Sequence, residues 1–200
     1  MQTHENVSDQ LELWLGGGGP RTLGSLVDLF GEKAFAVSFI VLMAPSALPL
    51  PTGGVTNALE LVTMLLALEL VVGRGTLWLP TRWNRLEVGV SAEGRFGSTL
   101  MRQIRWVERR SHPRLRVLFE HRGSGVVFGT LVLVLTLAAF VAPPFSGLDT
   151  LPSIGIVLLA LGVLFEDFLV AVAGFVIGGL GALLVFFVGS HVVRLFQQLL

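Results

Sequence analysis

Hydrophobic residues gather in two stretches of the chain, one before residue 73 and the other after residue 122. In the second stretch, residues 124–142 and 168–190 contain no charged side chain. A helix needs about 20 apolar residues to cross a bilayer, and these two runs are close to that length. They therefore predict two full membrane spans in an all-α integral membrane protein.

Three other apolar runs, residues 34–48, 58–72 and 154–165, are shorter. A helix of about 15 residues extends roughly 22 Å, which is less than the roughly 30 Å of the hydrocarbon core. For the first two runs, two interpretations stay open: a pair of tilted spans, or a re-entrant hairpin whose tip, residues 45–54, stops inside the membrane. We favour the hairpin because three prolines and two glycines occupy the tip, where a span would still need paired backbone groups.

Proline clusters interrupt both hydrophobic stretches at corresponding points. The prolines are Pro45, Pro49 and Pro51 in the first cluster and Pro143, Pro144 and Pro152 in the second. The string Leu-Leu-Ala-Leu follows each cluster, at residues 65–68 and 158–161. This order predicts two helical repeats, and it leaves open whether they are inverted. Broken helices at corresponding positions of two halves indicate a transport-type site.

Residues 73–122 form a polar and strongly basic linker between the two stretches. From Arg74 to Arg122 there are 11 arginines and 4 acidic residues, although the net charge of the whole chain is +0. The arginines alternate with tryptophans, leucines and phenylalanines, a pattern typical of amphipathic helices on an anionic membrane surface. The linker is therefore predicted to be cytoplasmic and to contact lipid headgroups, and we expect no nucleic-acid partner.

Composition divides the chain into four segments. Residues 1–20 are polar and then glycine-rich, which predicts a flexible tail. Residues 21–72 hold an amphipathic helix, expected over residues 22–32, and the first broken unit. The linker, residues 73–122, follows, and residues 123–200 hold a span, the second broken unit and a C-terminal membrane helix.

Ionisable residues inside apolar segments are costly and are therefore the first candidates for function. The chain has five: Glu60, Glu69, Asp149, Glu166 and Asp167. Glu60 comes just after the first break and is the best candidate for a side chain in a polar cavity.

The other four carboxylates have structural interpretations that stay open beside a functional role. Glu69 lies about one helical turn from Arg74 and would pair with it at the membrane interface. Asp149 would cap the helix that resumes after the second break. Glu166 and Asp167 would form a turn between antiparallel helices.

The predicted binding site combines the breaks with the polar residues near them. Thr56 and Asn57 would cap the helix that resumes after the first break, whose N-terminal amides can receive an anion such as phosphate. The candidates for binding a substrate or ion are Pro45, Pro49, Pro51, Asn57, Glu60, Glu69, Arg74, Pro143, Pro144, Asp149, Pro152, Glu166 and Asp167.

Signatures of catalysis are weak. The chain has no cysteine, its 4 histidines lack metal-ligand spacing, and no serine stands in the context of a nucleophile elbow. We therefore predict no catalytic residue, no metal site and no cofactor, and we expect that the protein is not an enzyme.

A series of short motifs extends over most of the chain. They are Thr-Leu-Gly at residues 22–24, Asp-Leu-Phe-Gly-Glu at 28–32, Leu-Leu-Ala-Leu-Glu-Leu at 65–70, Gly-Arg at 73–74, Trp-Leu-Pro at 78–80 and Thr-Leu-Pro at 150–152. In this order they resemble the bacterial ExoD family of exopolysaccharide-synthesis proteins, over roughly residues 20–190. The resemblance implies an inner-membrane protein that affects exopolysaccharide production, without catalytic residues to transfer. The broken-hairpin plan is also similar to that of DedA-type membrane proteins, which are linked to lipid-carrier translocation.

Two functional hypotheses follow from the residues and the resemblance. The first is a small multi-pass transporter or flippase-like protein of the bacterial inner membrane. It would handle an anionic or lipid-linked substrate, with proton coupling through Glu60, Glu69 or Asp149. The second is a non-transporting scaffold that binds polysaccharide-synthesis enzymes through the basic linker. Formation of a homo-oligomer is left open.

Overall fold

The computed structural model describes residues 7–16, 22–48, 55–74, 95–110, 122–143 and 146–199. Within these ranges every regular element is helical, which confirms the predicted all-α class. The α-helices are α1 (Val7–Gly16), α2 (Leu23–Phe30), α3 (Ala34–Ala47), α4 (Val55–Val71), α5 (Arg95–Arg110), α6 (Arg122–Val141), α7 (Thr150–Leu164) and α8 (Phe168–Leu199). A 3-10 turn, Gly31–Lys33, joins α2 to α3.

Helix α3 forms the centre of the bundle. Every residue from Ala34 to Ala44 is buried, and the ring of Phe39 packs against that of Phe128 in α6 with 5.5 Å between centroids. A helix that is apolar on all sides is unfavourable in water and is stabilised when protein or lipid covers it. Helices α2, α4 and α7 cover α3, so the core of the protein lies around it.

Both interruptions of the chain lie at the same end of the bundle. Ser46 near the end of α3 contacts Glu60 near the start of α4, so these helices are antiparallel. A Cβ on Gly129 of α6 would lie 3.0 Å from the carbonyl oxygen of Ala67, close to the end of α4, so α4 and α6 are also antiparallel. We call the end where α3 and α6 finish the break end. The opposite end, where α4 finishes and α6 begins, is the linker end.

Two helices are long and apolar enough to cross a membrane, and they match the two predicted spans. They are Gly123–Val141 within α6 and Phe168–His191 within α8. The shorter helix α7 packs closely against α8. A Cβ on Gly155 of α7 would lie only 2.2 Å from the Cα of Gly178 in α8.

The N-terminal region differs from the flexible tail expected for residues 1–20, because α1 forms there. Trp14 Nε1 donates a hydrogen bond to Ser25 Oγ of α2 at 2.8 Å, and Glu12 pairs with Arg105 of α5. Helix α1 is held by partners that are distant in sequence. The local composition, dominated by polar residues and glycines, gave no indication of them.

The amphipathic helix expected over residues 22–32 is confirmed as α2, which begins with a capping box between Thr22 and Ser25. Of the basic linker, the structure describes residues 95–110, which form the amphipathic helix α5. The remainder of the linker, residues 75–121 apart from α5, lies outside the described residues.

The first interruption begins later than the proline pattern predicted. Helix α3 continues through Pro45 and ends at Ala47, and α4 begins at Val55. A proline in the last turn removes one helical hydrogen bond and does not prevent the final turn from forming. Three predicted site residues lie outside the described residues: Pro49, Pro51 and Pro144.

Candidate functional site

A buried carboxyl group at the break end is the starting point of the candidate site. Ser46 Oγ, in the last turn of α3, donates a hydrogen bond to Glu60 Oε1, in the second turn of α4, at 3.2 Å. The exposed fractions of the two residues are 1% and 2%. Because an isolated carboxyl group is costly to bury, this hydrogen bond helps to hold Glu60 in the interior.

The second interruption contributes Asp149 to the same site. Asp149 immediately precedes α7 and lies close enough to Glu60 for the two carboxyl groups to interact electrostatically. Its backbone carbonyl accepts hydrogen bonds from the N–H of Ser153 at 3.1 Å and from Ser153 Oγ at 2.7 Å. We refer to Ser46, Glu60, Asp149 and Ser153 as the break-end cluster.

The side chain of Asp149 does not cap α7, although the residue occupies the N-cap position. Its backbone is helical, with φ of −67° and ψ of −23°, and its carboxyl group makes no capping hydrogen bond. The cap alternative is therefore not supported. At this position the carboxyl group lies within electrostatic range of Glu60.

Prolines at the ends of the helices lie beside the cluster. Pro45 precedes Ser46 in the last turn of α3. Pro152 lies buried in the first turn of α7, where a missing N–H costs no helical hydrogen bond. A Cβ on Gly181 of α8 would lie 2.6 Å from Pro152 Cδ, so α8 packs directly on this turn. Pro143, after α6, is exposed.

The chemistry of the cluster is acidic. None of the buried residues in the described part of the chain is an arginine, lysine or histidine. Helices α4 and α7 both begin at the break end, and their N-terminal turns add partial positive charge there. Carboxyl groups in such surroundings can exchange a proton, while N–H groups at helix starts can receive an anionic group.

Glu69 and Arg74 lie away from the break-end cluster, whereas Asn57 lies at the break end, one helical turn before Glu60. At the linker end, Glu69 Oε1 is 3.9 Å from Arg74 Nη1, as the interface alternative predicted. Asn57 is exposed, and both it and the buried Thr56 lie inside the first turn of α4, which begins at Val55. That these two residues cap the resumed helix stays a prediction, since residues 49–54 lie outside the described residues.

Glu166 and Asp167 form the turn between α7 and α8 at the linker end, as their structural alternative predicted. Glu166 has a φ of 55°. The buried Asp167 accepts hydrogen bonds at Oδ1 from the N–H groups of Leu169 at 2.9 Å and Val170 at 3.4 Å. Asp167 thus caps α8, a structural role at the end of the bundle opposite to Glu60.

Sequence reasoning missed the two serines of the cluster. Ser46 lies inside the first proline cluster and Ser153 follows Pro152, so a small polar residue beside a helix-ending proline was the available signal. A third serine, Ser38, is also buried in α3, but its Oγ has no hydrogen-bond partner among the described residues. Polarity and burial alone therefore do not identify members of the cluster.

Comparison with known proteins gives the chain a family. The family model described as "Exopolysaccharide synthesis, ExoD" matches residues 9–187. An uncharacterized protein of Synechocystis sp., slr1875, is 27% identical over 154 residues, which cover 77% of this chain and 72% of that protein. No solved structure matches the chain. Since the family model covers most of its length, the chain belongs to the ExoD family of exopolysaccharide synthesis.

Proposed function

We propose that this protein moves an anionic or lipid-linked substrate of exopolysaccharide synthesis across the bacterial inner membrane, with proton exchange at Glu60. Family membership supplies the biological process. The observation that carries the proposal is the hydrogen bond between Ser46 and Glu60, which secures a buried carboxyl group where two interrupted helices meet.

The lengths of the helices support a site at membrane depth. From the linker end, α3 and α7 extend about 21 and 22 Å at 1.5 Å per residue, while a hydrocarbon core is about 30 Å thick. Helix α8 passes Pro152 at Gly181 and continues beyond it. In a bilayer spanned by α6 and α8, the end of α3 and the start of α7 would thus stop short of the far surface, which the end of α6 would reach.

The outer surface of the bundle supports the same location. Helices α6 and α8 expose many large apolar side chains, among them Val127, Val134, Leu137, Phe175, Leu180, Leu183, Phe186 and Phe187. So much apolar surface is unfavourable in water and is neutral against acyl chains. Arg74 and Arg122 stand at the linker end, where the positive-inside rule favours the cytoplasmic surface.

The pattern of helix contacts supports two related units that run in the same direction. Helix α3 packs along α7 to the same extent as α4 packs along α6, and the two helices within each unit contact each other less. If α3 and α4 are exchanged with α6 and α7, the same pairs of helices remain in contact. Since both breaks lie at one end, parallel repeats account for the arrangement better than inverted ones.

The cluster offers a simple means of coupling a proton to an anion. With Glu60 protonated, the N-terminal turns of α4 and α7 would attract an anionic group of the substrate. Loss of the proton adds a negative charge beside Asp149 and repels that group. Ser46 would orient the carboxyl group through its hydrogen bond.

The test is a translocation assay in proteoliposomes with fluorescent NBD-phosphatidylglycerol as the anionic lipid probe. Dithionite reduction reports the fraction of the probe on the outer leaflet, with and without an imposed pH gradient. We expect the native protein to translocate the probe faster than empty liposomes do and to respond to the gradient. Glu60→Gln should lose the response because its side chain cannot exchange a proton.

Glu69→Gln is the matched control, because Glu69 is a carboxylate of the same helix that lies at the linker end and pairs with Arg74. It should keep the gradient response. A response retained in Glu60→Gln would contradict the proton role. Absence of probe movement in the native protein, together with loss of exopolysaccharide on substitution of linker arginines, would favour the scaffold hypothesis.

A further inference from the structure

Helix α5 carries a stripe of three arginines and a tryptophan on its exposed side. Arg102, Arg105, Trp106 and Arg109 follow the spacing i, i+3, i+4, i+7, which aligns them on one helix face. All four are exposed, and Trp106 keeps 57% of its surface accessible. We call these four residues the arginine stripe.

The opposite face of α5 is already occupied by the protein. Met101, Ile104 and Val107 are buried in the same hydrophobic cluster as Leu11 of α1 and Leu23 of α2. An ordinary interfacial helix inserts its apolar face between acyl chains. Since these three apolar side chains of α5 are covered by the protein, we expect its contact with a membrane to be made by the polar face.

We propose that the arginine stripe docks on anionic lipid headgroups, with α5 lying against the membrane surface through its polar face. Guanidinium groups bind phosphate through paired, charge-assisted hydrogen bonds, and an indole ring is favoured at headgroup depth. The linker that contains α5 joins Arg74 to Arg122, both at the linker end of the bundle. Because the guanidinium groups make this contact, it is electrostatic, reversible and sensitive to salt.

Helix α1 supplies an internal competitor for this contact. Glu12 pairs with Arg105, and both side chains are about half exposed. A lipid phosphate that engages Arg105 has to displace the carboxylate of Glu12. The acidic helix α1 therefore weakens the docking and sets the anionic lipid content at which it occurs. This proposal does not depend on transport through the break-end cluster.

The experiment uses the full-length protein in nanodiscs whose phosphatidylglycerol fraction is raised stepwise in phosphatidylcholine. A phosphatidylcholine labelled with TEMPO on its headgroup quenches nearby tryptophans, and the Trp106→Phe protein gives the background from the other three. We expect quenching of Trp106 to rise with the phosphatidylglycerol fraction. The rise should disappear at about 1 M salt, where the Debye length is about 3 Å.

Variants separate the arginine stripe from general charge effects. Arg102→Gln and Arg109→Gln should each weaken the apparent affinity for phosphatidylglycerol about fivefold. Lys33→Gln removes the same charge from an exposed position outside α5 and should have little effect. Glu12→Gln should lower the phosphatidylglycerol fraction needed for half-maximal quenching.

Two results would overturn the proposal. The first is that, at low salt, quenching of Trp106 is the same in phosphatidylcholine alone as in nanodiscs that contain phosphatidylglycerol. The second is a titration of the Arg102→Gln and Arg109→Gln proteins that coincides with that of Lys33→Gln. If the stripe variants nevertheless lowered exopolysaccharide output, a protein partner would be the occupant of the stripe. If the titration of Glu12→Gln coincided with that of the native protein, Glu12 would not compete with lipid phosphate for Arg105, and the proposed docking surface would stand without it.

Discussion

Two serines of α3 show that the contribution of a buried hydroxyl group to stability depends on its hydrogen-bond partner. Ser38 and Ser46 are both buried in the same helix. Ser46 Oγ donates to Glu60, whereas Ser38 Oγ has no hydrogen-bond partner among the described residues. Burying an unpaired hydroxyl costs free energy, while a hydrogen bond to a carboxyl group returns it. Substitution by alanine is therefore expected to change the free energy of unfolding differently at the two positions.

We predict that Ser46→Ala lowers the free energy of unfolding by about 1–3 kcal/mol, because Glu60 loses a buried donor. Ser38→Ala should leave this free energy unchanged or raise it by up to about 1 kcal/mol, because it removes an unpaired hydroxyl. Denaturation with increasing SDS in mixed micelles, followed by circular dichroism, measures both. Equal losses for the two variants would show that the Ser46–Glu60 hydrogen bond is not formed.

The sequence identified Glu60 and Asp149, since a carboxylate in an apolar segment stands out in any membrane chain. It could not separate them from Glu69, Glu166 and Asp167, which stand out in the same way. Local partners were among the predicted alternatives: Arg74 for Glu69, and a turn between helices for Glu166 and Asp167. The local pattern does not contain the end of the bundle at which each carboxylate lies.

At the scale of the helices, close backbone contact joins α7 to α8. A Cβ on Gly174 would lie 2.4 Å from the backbone nitrogen of Leu159, and one on Gly155 would lie 2.2 Å from the Cα of Gly178. Small residues allow this approach, and dispersion contacts between the closely spaced backbones then stabilise the pair. The spacing of Gly174 and Gly178, four residues apart, permits such an approach but does not name α7 as the partner.

We predict that Gly155→Ala destabilises the protein by about 1–3 kcal/mol, because the new methyl group meets the backbone of α8, which cannot move alone. Gly179→Ala is the matched control. A Cβ there has open space, so the substitution should stabilise α8 by up to about 1 kcal/mol through its helix propensity. Thermal denaturation in detergent compares the two. Similar melting temperatures would contradict the close packing.

Long apolar helices were predictable in position because their composition alone requires burial or lipid. Helices α6 and α8 begin within two residues of the predicted spans. Helix α1 was missed, since it depends on α2 and α5 for its contacts. The linker helices were expected on a membrane surface, but Met101, Ile104 and Val107 of α5 pack against the protein. Amphipathic spacing shows that one face of a helix is covered, but it does not show whether protein or lipid covers it.

At the scale of the whole molecule, the essential feature is that the two interruptions come together. Their order along the chain allowed either a parallel or an inverted arrangement. The contacts of Ser46 with Glu60, and of Gly129 with the end of α4, bring both breaks to one end. Only then do Glu60 and Asp149, which are distant in sequence, become neighbours.

The most direct test of this arrangement is labelling of single cysteines in membrane vesicles of known orientation, since the native chain has no competing thiol. Leu48→Cys and Ser146→Cys report the two breaks, and Arg74→Cys, exposed at the linker end, serves as the control. We predict that a membrane-impermeant maleimide labels the Leu48→Cys and Ser146→Cys proteins from one face of the membrane. It should label the Arg74→Cys protein from the other face. Labelling of the two breaks from opposite faces would contradict the account.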